Sequence, residues 1–555
     1  MDYTSFLVIS VSSNLKNGNV YKMIQNSKWK AKSVHYQYLD GNGNPIGRQK
    51  KVDLNNKKSI PEQLRKDIEN DAVVKLSYNA AMTRIFLSAV LNYPPHEYIR
   101  CDSWLDVRVI ARMNGYTTDS FSKLAEALNI RVRSNAASHR FNALINMISQ
   151  LTKNKVMNMS RLDEYKINQA INDRGIRVNM TVLRAGIRLI GLFNYSILLF
   201  KLGVECQVDV NSIHQVLVEK YSVKTCAEIY SLIDYNKSLS DTDRILIQIL
   251  KFLNSNTVKR FVLIAKNKCS DDRLRGMFSF WSNPITGKYG GTDIFTKDYK
   301  FSTVSPDDYI DAVSLIDDVN IDQVDDLIEK LKNLLALIFV TEEKKQVVDL
   351  SRGLDFIIAK MTGSEWRINA YNDDNLADTL RIKWKSVCLP DSTLVKNDRL
   401  LACGNYGVML DSKQIKDWKS FNSDLVFTCG KLENNLINAY KNNKCYNYLS
   451  VVFECEPDRL ILYLPTGRTV CIPYIFQNHN FYIKGSNQEI SGKLLFKIIC
   501  LALQRELVAD AINTLYNFGF DVIYNTNDIV VINNPKSLPP TITEKPYIEI
   551  YSTLF

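Results

Sequence analysis

"DVIYNTNDIVVINNP", residues 521–535, reads as two short β-strands joined by a tight turn. Val522, Ile523 and Tyr524 load one arm with apolar side chains, and Ile529 to Ile532 load the other. Between them lie Asn525, Thr526, Asn527 and Asp528, all residues that favour turns. One acid, Asp528, stands at the tip. A turn aspartate commonly does no more than accept hydrogen bonds from nearby backbone N–H groups. A carboxylate at a strand end is also a hard oxygen ligand of the kind Mg²⁺ prefers. The choice between these readings decides what the hairpin is for.

A second acid occupies a similar local position far away in the chain. Asp349 closes the β-rich run "KQVVDL" (345–350), just before a helical pattern that begins near Leu354. Two Mg²⁺ ions clamped between carboxylates are a recurrent device for phosphoryl transfer on nucleic acids. From the two aspartates alone, a metal site and a pair of ordinary turn residues both remain open.

Further out, "KLLFKIICLALQRELVADAINTLYNFG" (493–519) is one long helix leading into the hairpin. "YLSVVFEC", "RLILYLP" and "RTVCIPYIF" are β-runs between 448 and 476. The acidic stretch 307–339 has helical spacing, and its charges suit a solvated face. Residues 161 to about 270 carry helical apolar spacing, as in "EYKINQAINDRGI" and "RILIQILKFLNS". The first 160 residues alternate strand and helix signals. "SFLVISV" and "AVVKLSY" read as strands, "SFSKLAEALNI" as a helix and "DGNGNPIG" (40–47) as a turn.

The chain's 555 residues exceed one core and suit two to four domains. A net charge of +11 is compatible with a polyanionic partner, nucleic acid first. Eleven cysteines include no CxxC pair, and the five histidines stand apart from any cysteine pair, which argues against zinc. Reduced, mostly buried thiols in a cytoplasmic protein are expected. "MDYTSFLVISVSS" lacks a basic leader and reads as a strand rather than a signal peptide. "LIGLFNYSILLF" (189–200) is too short and too polar to span a bilayer, so no membrane partner is expected.

Several segments together resemble the family A, polymerase I-like DNA polymerases of phages and mobile elements, including the divergent polymerases of staphylococcal cassette elements. In "KQVVDLSRGLDFIIAKMTGSEWRINAYN", Asp349, Ser351, Gly363, Trp366 and Arg367 match the first palm motif without a gap. In "LQRELVADAINTLYNFGFDVIYNTNDIVVINNP", Arg505 falls on the arginine of the last palm helix and Asp528 on the aspartate of the third motif. "DDRLRGMFSFWSNPITGKYGG" is similar to the segment whose Thr-Gly-Arg triplet contacts the primer–template; here the triplet is Thr286-Gly287-Lys288. "INQAINDRGIRVN" (167–179) resembles the helix that opens the polymerase portion. No single motif is specific; the collinear order carries the resemblance.

The departures are equally specific. The first exonuclease strand of the family carries two metal-binding acids, and here those positions read Ser10 and Ser12. The second motif's acid position is Thr83, and residues 131–160 contain no Asp or Glu. A hydroxyl does not replace a carboxylate as a primary Mg²⁺ ligand. Arg131, Arg133, Arg140, Lys153 and Lys155 in that window suit a solvated face or a nucleic-acid surface. In the polymerase portion, the ribose-screening glutamate is replaced by Leu354 and the arginine two residues on by Phe356. Asn527 and Ile529 replace the histidine and glutamate that flank Asp528. The fingers pattern keeps Tyr406-Gly407, while Asp398 and Ala402 hold the lysine and aromatic positions; Lys396 and Arg399 are nearby at i, i+3.

The resemblance implies an α+β multidomain chain. Residues 1–160 would be a degenerate RNase H-like 3′–5′ exonuclease domain without activity. Residues 161–270 would be a helical thumb, and 271–555 a palm with an antiparallel sheet plus fingers. It further implies Asp349 and Asp528 as catalytic ligands of two Mg²⁺ ions. Lys396, Arg399 and Tyr406 would bind the nucleotide; Thr286, Lys288 and Arg505 would bind nucleic acid. The expected partners are a DNA primer–template or single-stranded DNA and deoxynucleoside triphosphates. Ribonucleotides, primer synthesis and a small accessory protein follow as extensions, since the ribose screen and proofreading are both missing. A catalytically inactive polymerase-fold subunit that binds or scaffolds nucleic acid is the rival class.

Overall fold

The computed structural model describes residues 5–14, 18–26, 28–55, 59–118, 120–153, 161–201, 210–235, 239–291, 299–301, 324–341, 343–350, 353–364, 419–420, 422–486, 488–526 and 529–533.

The N-terminal unit runs β1 (Ser5–Ser13), α1 (Val20–Met23), β2 (Ala31–Asp40), β3 (Pro45–Asp53), α2 (Glu62–Glu69), β4 (Val74–Ser77), α3 (Ala80–Val90), β5 (Trp104–Asp106), α4 (Val107–Met113), α5 (Phe121–Ala127) and α6 (Ala137–Lys153). Its mixed sheet has the order β3-β2-β1-β4-β5. The β2 and β3 arms are antiparallel, whereas β4 and β5 run parallel to β1. Parallel strands require helical crossovers, so both faces of β1 are covered. Leu7 and Ile9 pack on one side, Phe6 and Val8 on the other. That double burial explains the unbroken apolar run "FLVI". The β2–β3 turn forms where Asp40 accepts hydrogen bonds from the backbone N–H of Asn42 (2.9 Å) and Asn44 (2.8 Å). Those bonds hold the Asp40 carboxyl below its ordinary pKa.

Next come α7 (Leu162–Arg174), β6 (Ile176–Arg177), α8 (Met180–Lys201), α9 (Val210–Tyr221), α10 (Cys226–Tyr235), α11 (Asp241–Asn254) and α12 (Asn256–Asn267). Ile247, Leu250 and Phe252 bury the inner stripe of α11, and Ser240 caps its first turn. Gly175 ends α7 at φ +64°; a Cβ there would strike the Leu274 carbonyl.

The remainder contains β7 (Arg273–Leu274), β8 (Phe278–Ser279), β9 (Gly290–Gly291), α13 (Val324–Ala336), β10 (Lys345–Asp349), α14 (Gly353–Thr362), α15 (Ser423–Asn442), β11 (Tyr446–Tyr448), β12 (Val451–Glu456), β13 (Arg459–Tyr463), β14 (Thr469–Gln477), β15 (Asn480–Ile483), α16 (Gly492–Asn517), β16 (Asp521–Asn525) and β17 (Ile529–Asn533). These strands include a five-stranded antiparallel meander, β11 to β15, and a three-stranded antiparallel sheet in the order β10-β17-β16. The helix α16 has buried residues around its circumference. Gly492 lets α16 cross α15, since a Cβ would overlap the Cys429 carbonyl.

One sequence expectation divides in two. "YLSVVFEC" is a hairpin rather than one strand, because Leu449 and Ser450 both adopt positive φ and turn β11 into β12. Of the acidic helical stretch 307–339, only the part from Val324 lies within the described residues. No described helix is long and apolar enough to cross a membrane.

The N-terminal unit is fastened to α7 by a partly buried ion pair. Arg84, wholly buried on α3, donates to both carboxylate oxygens of Asp173 at 2.8 and 2.7 Å. The Tyr21 hydroxyl donates to the same carboxylate at 2.6 Å. A second link joins Arg112 of α4 to the Trp281 carbonyl at 2.9 Å.

Candidate functional site

The β10-β17-β16 sheet carries the opening hairpin. Its β17 is the central strand, with Val530, Val531 and Ile532 fully buried. The ladder runs from Lys345 opposite Asn533 to Asp349 opposite Ile529. Asp349 therefore ends its strand beside the residue that follows Asp528 in the chain. Val348 and Leu350 turn into the core, while Asp349 and Val347 are exposed. This is the alternation a half-buried edge strand requires. Asp528 itself lies outside the described residues, as does the neighbouring Asn527.

The hairpin is braced from behind. Tyr524 is fully buried, with its ring 5.7 Å from Phe278, 5.0 Å from Phe301 and 6.3 Å from Phe339. Arg174, in the last turn of α7, donates to the Val522 carbonyl at 2.6 Å and pairs with Asp521 at 2.7 Å. Leu354 and Phe356 on α14 are core residues, and Gly353 meets Leu507 of α16 closely. At the two positions where the resembled family carries a glutamate and an arginine, this chain extends its apolar core.

The Thr286-Gly287-Lys288 triplet lies in a loop between β8 and β9. Asn283 organises it: its side-chain oxygen accepts from Ile285 N (3.0 Å) and Thr286 N (2.8 Å), and its carbonyl from Gly287 N. Ser282 donates its N–H (2.9 Å) and hydroxyl (2.8 Å) to the Lys288 carbonyl. Thr286 is buried and Lys288 half-buried.

Behind this loop sits a cluster of buried charge. Arg505 is 1% exposed, ion-paired with Glu164 and Glu506, and donates from Nε to the Gly287 carbonyl at 3.3 Å. Its guanidinium lies 4.9 Å from the ring centres of Trp281 and Tyr289 and 5.3 Å from that of Phe280. Arg468 and Arg161 also pair with Glu506, at 3.3 and 2.7 Å. Burial alone would neutralise Glu506, but Arg505, Arg468 and Arg161 outweigh it and hold the carboxyl below its ordinary pKa. For Arg505, burial opposes the charge; Tyr289, Glu164 and Glu506 outweigh it and raise the pKa. In this arrangement Arg505 supports the triplet loop from inside rather than presenting its head to solvent.

No family model matches the chain. Over 444 residues, 70% of this chain and 68% of the relative, it is 21% identical to the DNA polymerase of Bacillus phage SP02. Its fold is similar to the POL domain of Pol1 from M. smegmatis, solved in complex with DNA primer-template and dNTP. That likeness has a TM-score of 0.59 at 11% identity and covers 99% of this chain and 93% of that one. The chain resembles a divergent family A-type DNA polymerase.

Among the polymerase-like site residues, Asp349, Thr286, Lys288 and Arg505 fall within the described residues. Lys396, Arg399 and Tyr406 lie outside them, together with Asp528, Ser351, Trp366 and Arg367. Thr286, Lys288 and Arg505 come together around one loop, and Asp349 stands apart at the end of its sheet. Among the described residues, no group of three or more His, Cys, Asp or Glu gathers into a metal cluster.

Two of the N-terminal positions compared with metal ligands, Ser12 and Thr83, are engaged in hydrogen bonds with neutral groups. Ser12 and Ser33 hydroxyls are 2.8 Å apart, Ser33 is 3.2 Å from His35 Nε2, and Gln49 is 3.2 Å from His35 Nδ1. The Thr83 hydroxyl meets that of Ser77 at 2.7 Å. Burial, then Lys51, lowers the His35 pKa.

Sequence reading missed Glu164, Arg468 and Glu506. Each looks like an ordinary surface charge in its own segment. Only their convergence on Arg505 gives them a shared place, and no local spacing reports a contact 182 residues long, as between Arg468 and Thr286.

Proposed function

We propose that this chain is a template-directed DNA polymerase that extends a primer by two-metal nucleotidyl transfer and does not proofread. The observation that carries the proposal is the β10–β17 register, which sets Asp349 opposite Ile529. Asp528 is the residue before Ile529 in the sequence. The exposed Asp349 carboxylate is a hard oxygen donor at an open strand end, which fits Mg²⁺. Similarity to the phage polymerase, and a fold shared with a polymerase domain solved with primer-template and dNTP, support the same ligand classes.

In this reading residues 1–160 are an inactive exonuclease-like domain, 161–270 a helical thumb, and 271–555 palm and fingers. Asp349 and Asp528 hold two Mg²⁺ ions, which when bound supply charge neutralisation at the triphosphate and activation of the primer 3′-hydroxyl. The loop bearing Lys288 steers the nucleic-acid backbone. Lys396, Arg399 and Tyr406 are assigned to the incoming nucleotide. Leu354, at the ribose-screening position, predicts weak rejection of ribonucleotides, and primer synthesis with a small partner protein extends from that.

The deciding experiment is primer extension with wild type, Asp349→Ala and Asp528→Ala side by side. Extension by the wild type and its loss in both variants is expected. Extension that survives both substitutions would refute the site, and a wild type inactive under every metal and partner condition would refute the enzyme.

A further inference from the structure

We infer that Arg468 is a positioning residue, delivered by the β13–β14 turn to set the Thr286–Lys288 loop for gripping a nucleic-acid backbone. This rests on the polymerase reading above and names a device that serves it. Arg468 sits in a tight turn, in which Leu464 N donates to the Arg468 carbonyl at 2.8 Å and Gly467 adopts φ +75°. Its side chain leaves the meander and is buried to 2% exposure. One terminal nitrogen donates to the Thr286 carbonyl at 2.5 Å; the other donates to the Ala502 carbonyl at 3.1 Å. Its guanidinium lies 4.6 Å from the Trp281 ring centre.

Two consecutive loop carbonyls are therefore held by two buried guanidinium groups, Thr286 by Arg468 and Gly287 by Arg505. Both cations are bound to the same carboxylate, Glu506. Gly287 has φ +64°, and a Cβ there would run into both the Arg468 head and the Trp281 ring. The loop cannot move toward the cluster, the Arg468 and Arg505 bonds oppose movement away, and its own Asn283 and Ser282 bonds keep its shape.

A buried ion cluster is a poor way to gain stability, because well-packed apolar side chains of similar volume often do as well or better. It is a good way to fix orientation, since guanidinium bonds are directional. What this cluster orients is the backbone that carries Lys288. The meander's long-range contribution to the loop is Arg468, so the turn acts on the loop without touching the nucleic acid itself.

The test is a double-mutant cycle read by fluorescence anisotropy of a labelled primer–template duplex on the full chain, repeated across salt concentrations. The variants are Lys288→Ala, Arg468→Lys and their combination, each checked for folding by circular dichroism and thermal melting. Arg468→Lys keeps the charge and loses the fork. Gly287→Ala, which pushes the loop off Arg468 from the opposite side, serves as a second variant. The expected result is a loss of about tenfold for each single change, and a salt slope lowered by about one phosphate contact in each. The combination should be no weaker than the worse single variant, because both act through one contact. Independent, multiplying losses, or unchanged binding by folded Arg468→Lys and Gly287→Ala, would overturn the role of Arg468 and leave the polymerase reading standing. A wild type that does not bind primer–template would overturn that reading together with the inference.

Discussion

In the N-terminal sheet, Ser10 and Ser12 occupy a strand whose face is closed by hydrogen bonds among Ser12, Ser33, His35 and Gln49. In the C-terminal sheet, Asp349 ends an edge strand with its carboxylate at the open side. Both strands are flanked by helices, and both resemble strands that carry metal-binding acids in family A polymerases. In the first, Ser12, Ser33, His35 and Gln49 bond to one another; in the second, an exposed aspartate ends the strand. A metal site requires deprotonated oxygens held near one another, and internal satisfaction by hydroxyls removes that requirement. In the proposed reading, the N-terminal fold outlasts its chemistry because side chains at the former site find partners within the protein.

The sharpest way to break this contrast is at the carboxylates. Asp349→Ala is expected to lower primer extension by on the order of a thousandfold or more, read as single-turnover incorporation, because a metal ligand stabilises charge in the transition state. End-labelled single-stranded DNA incubated with wild type and Mg²⁺ is expected to keep its length; steady shortening would show that the hydroxyl-lined sheet still cuts.

The join between the two regions is the next place to press. Asp173→Asn leaves the fully buried Arg84 without its counter-charge, and breaking such a pair costs about 3–5 kcal/mol. Denaturant unfolding and limited proteolysis should report the N-terminal unit loosening first, and unchanged protection would show that the pair is not the fastener. Nucleotide selection gives a subtler comparison. With apolar Leu354 at the screening position, discrimination between deoxy- and ribonucleotides in kcat/KM is expected at about 10²-fold or less, since an apolar wall rejects an added hydroxyl poorly. Much stronger discrimination would mean that another residue reads the sugar.

The smallest expected effect concerns pH. The Glu506 pKa is depressed in the folded protein, so its contribution to stability is present above the unfolded value of about 4.3 and is lost as pH falls through the folded one. Glu506→Gln should flatten that part of the acid-unfolding curve while lowering stability at neutral pH. An unchanged acid limb would place the loss elsewhere.

Much of the architecture was legible in local patterns. The apolar run at Phe6–Ile9, the spacing of α11, the length of α16 and the two arms of the hairpin all follow from periodicities that the backbone imposes. The turn at Leu449–Ser450 was not legible, because two-residue turns with positive φ favour Asn and Gly, and Leu449 carries no turn signal.

By itself, the sequence determined which residue types stand at the positions compared with metal ligands: Ser10, Ser12 and Thr83 in one region, Asp349 and Asp528 in the other. Ligand chemistry depends on residue type, and residue type is read directly. Only the tertiary structure decided that Arg505 belongs inside, that Arg468 and Glu506 belong with it, and that Leu354 and Phe356 serve the core. Those roles depend on which distant segments share a buried volume, and burial is a property of the packed chain rather than of any stretch within it.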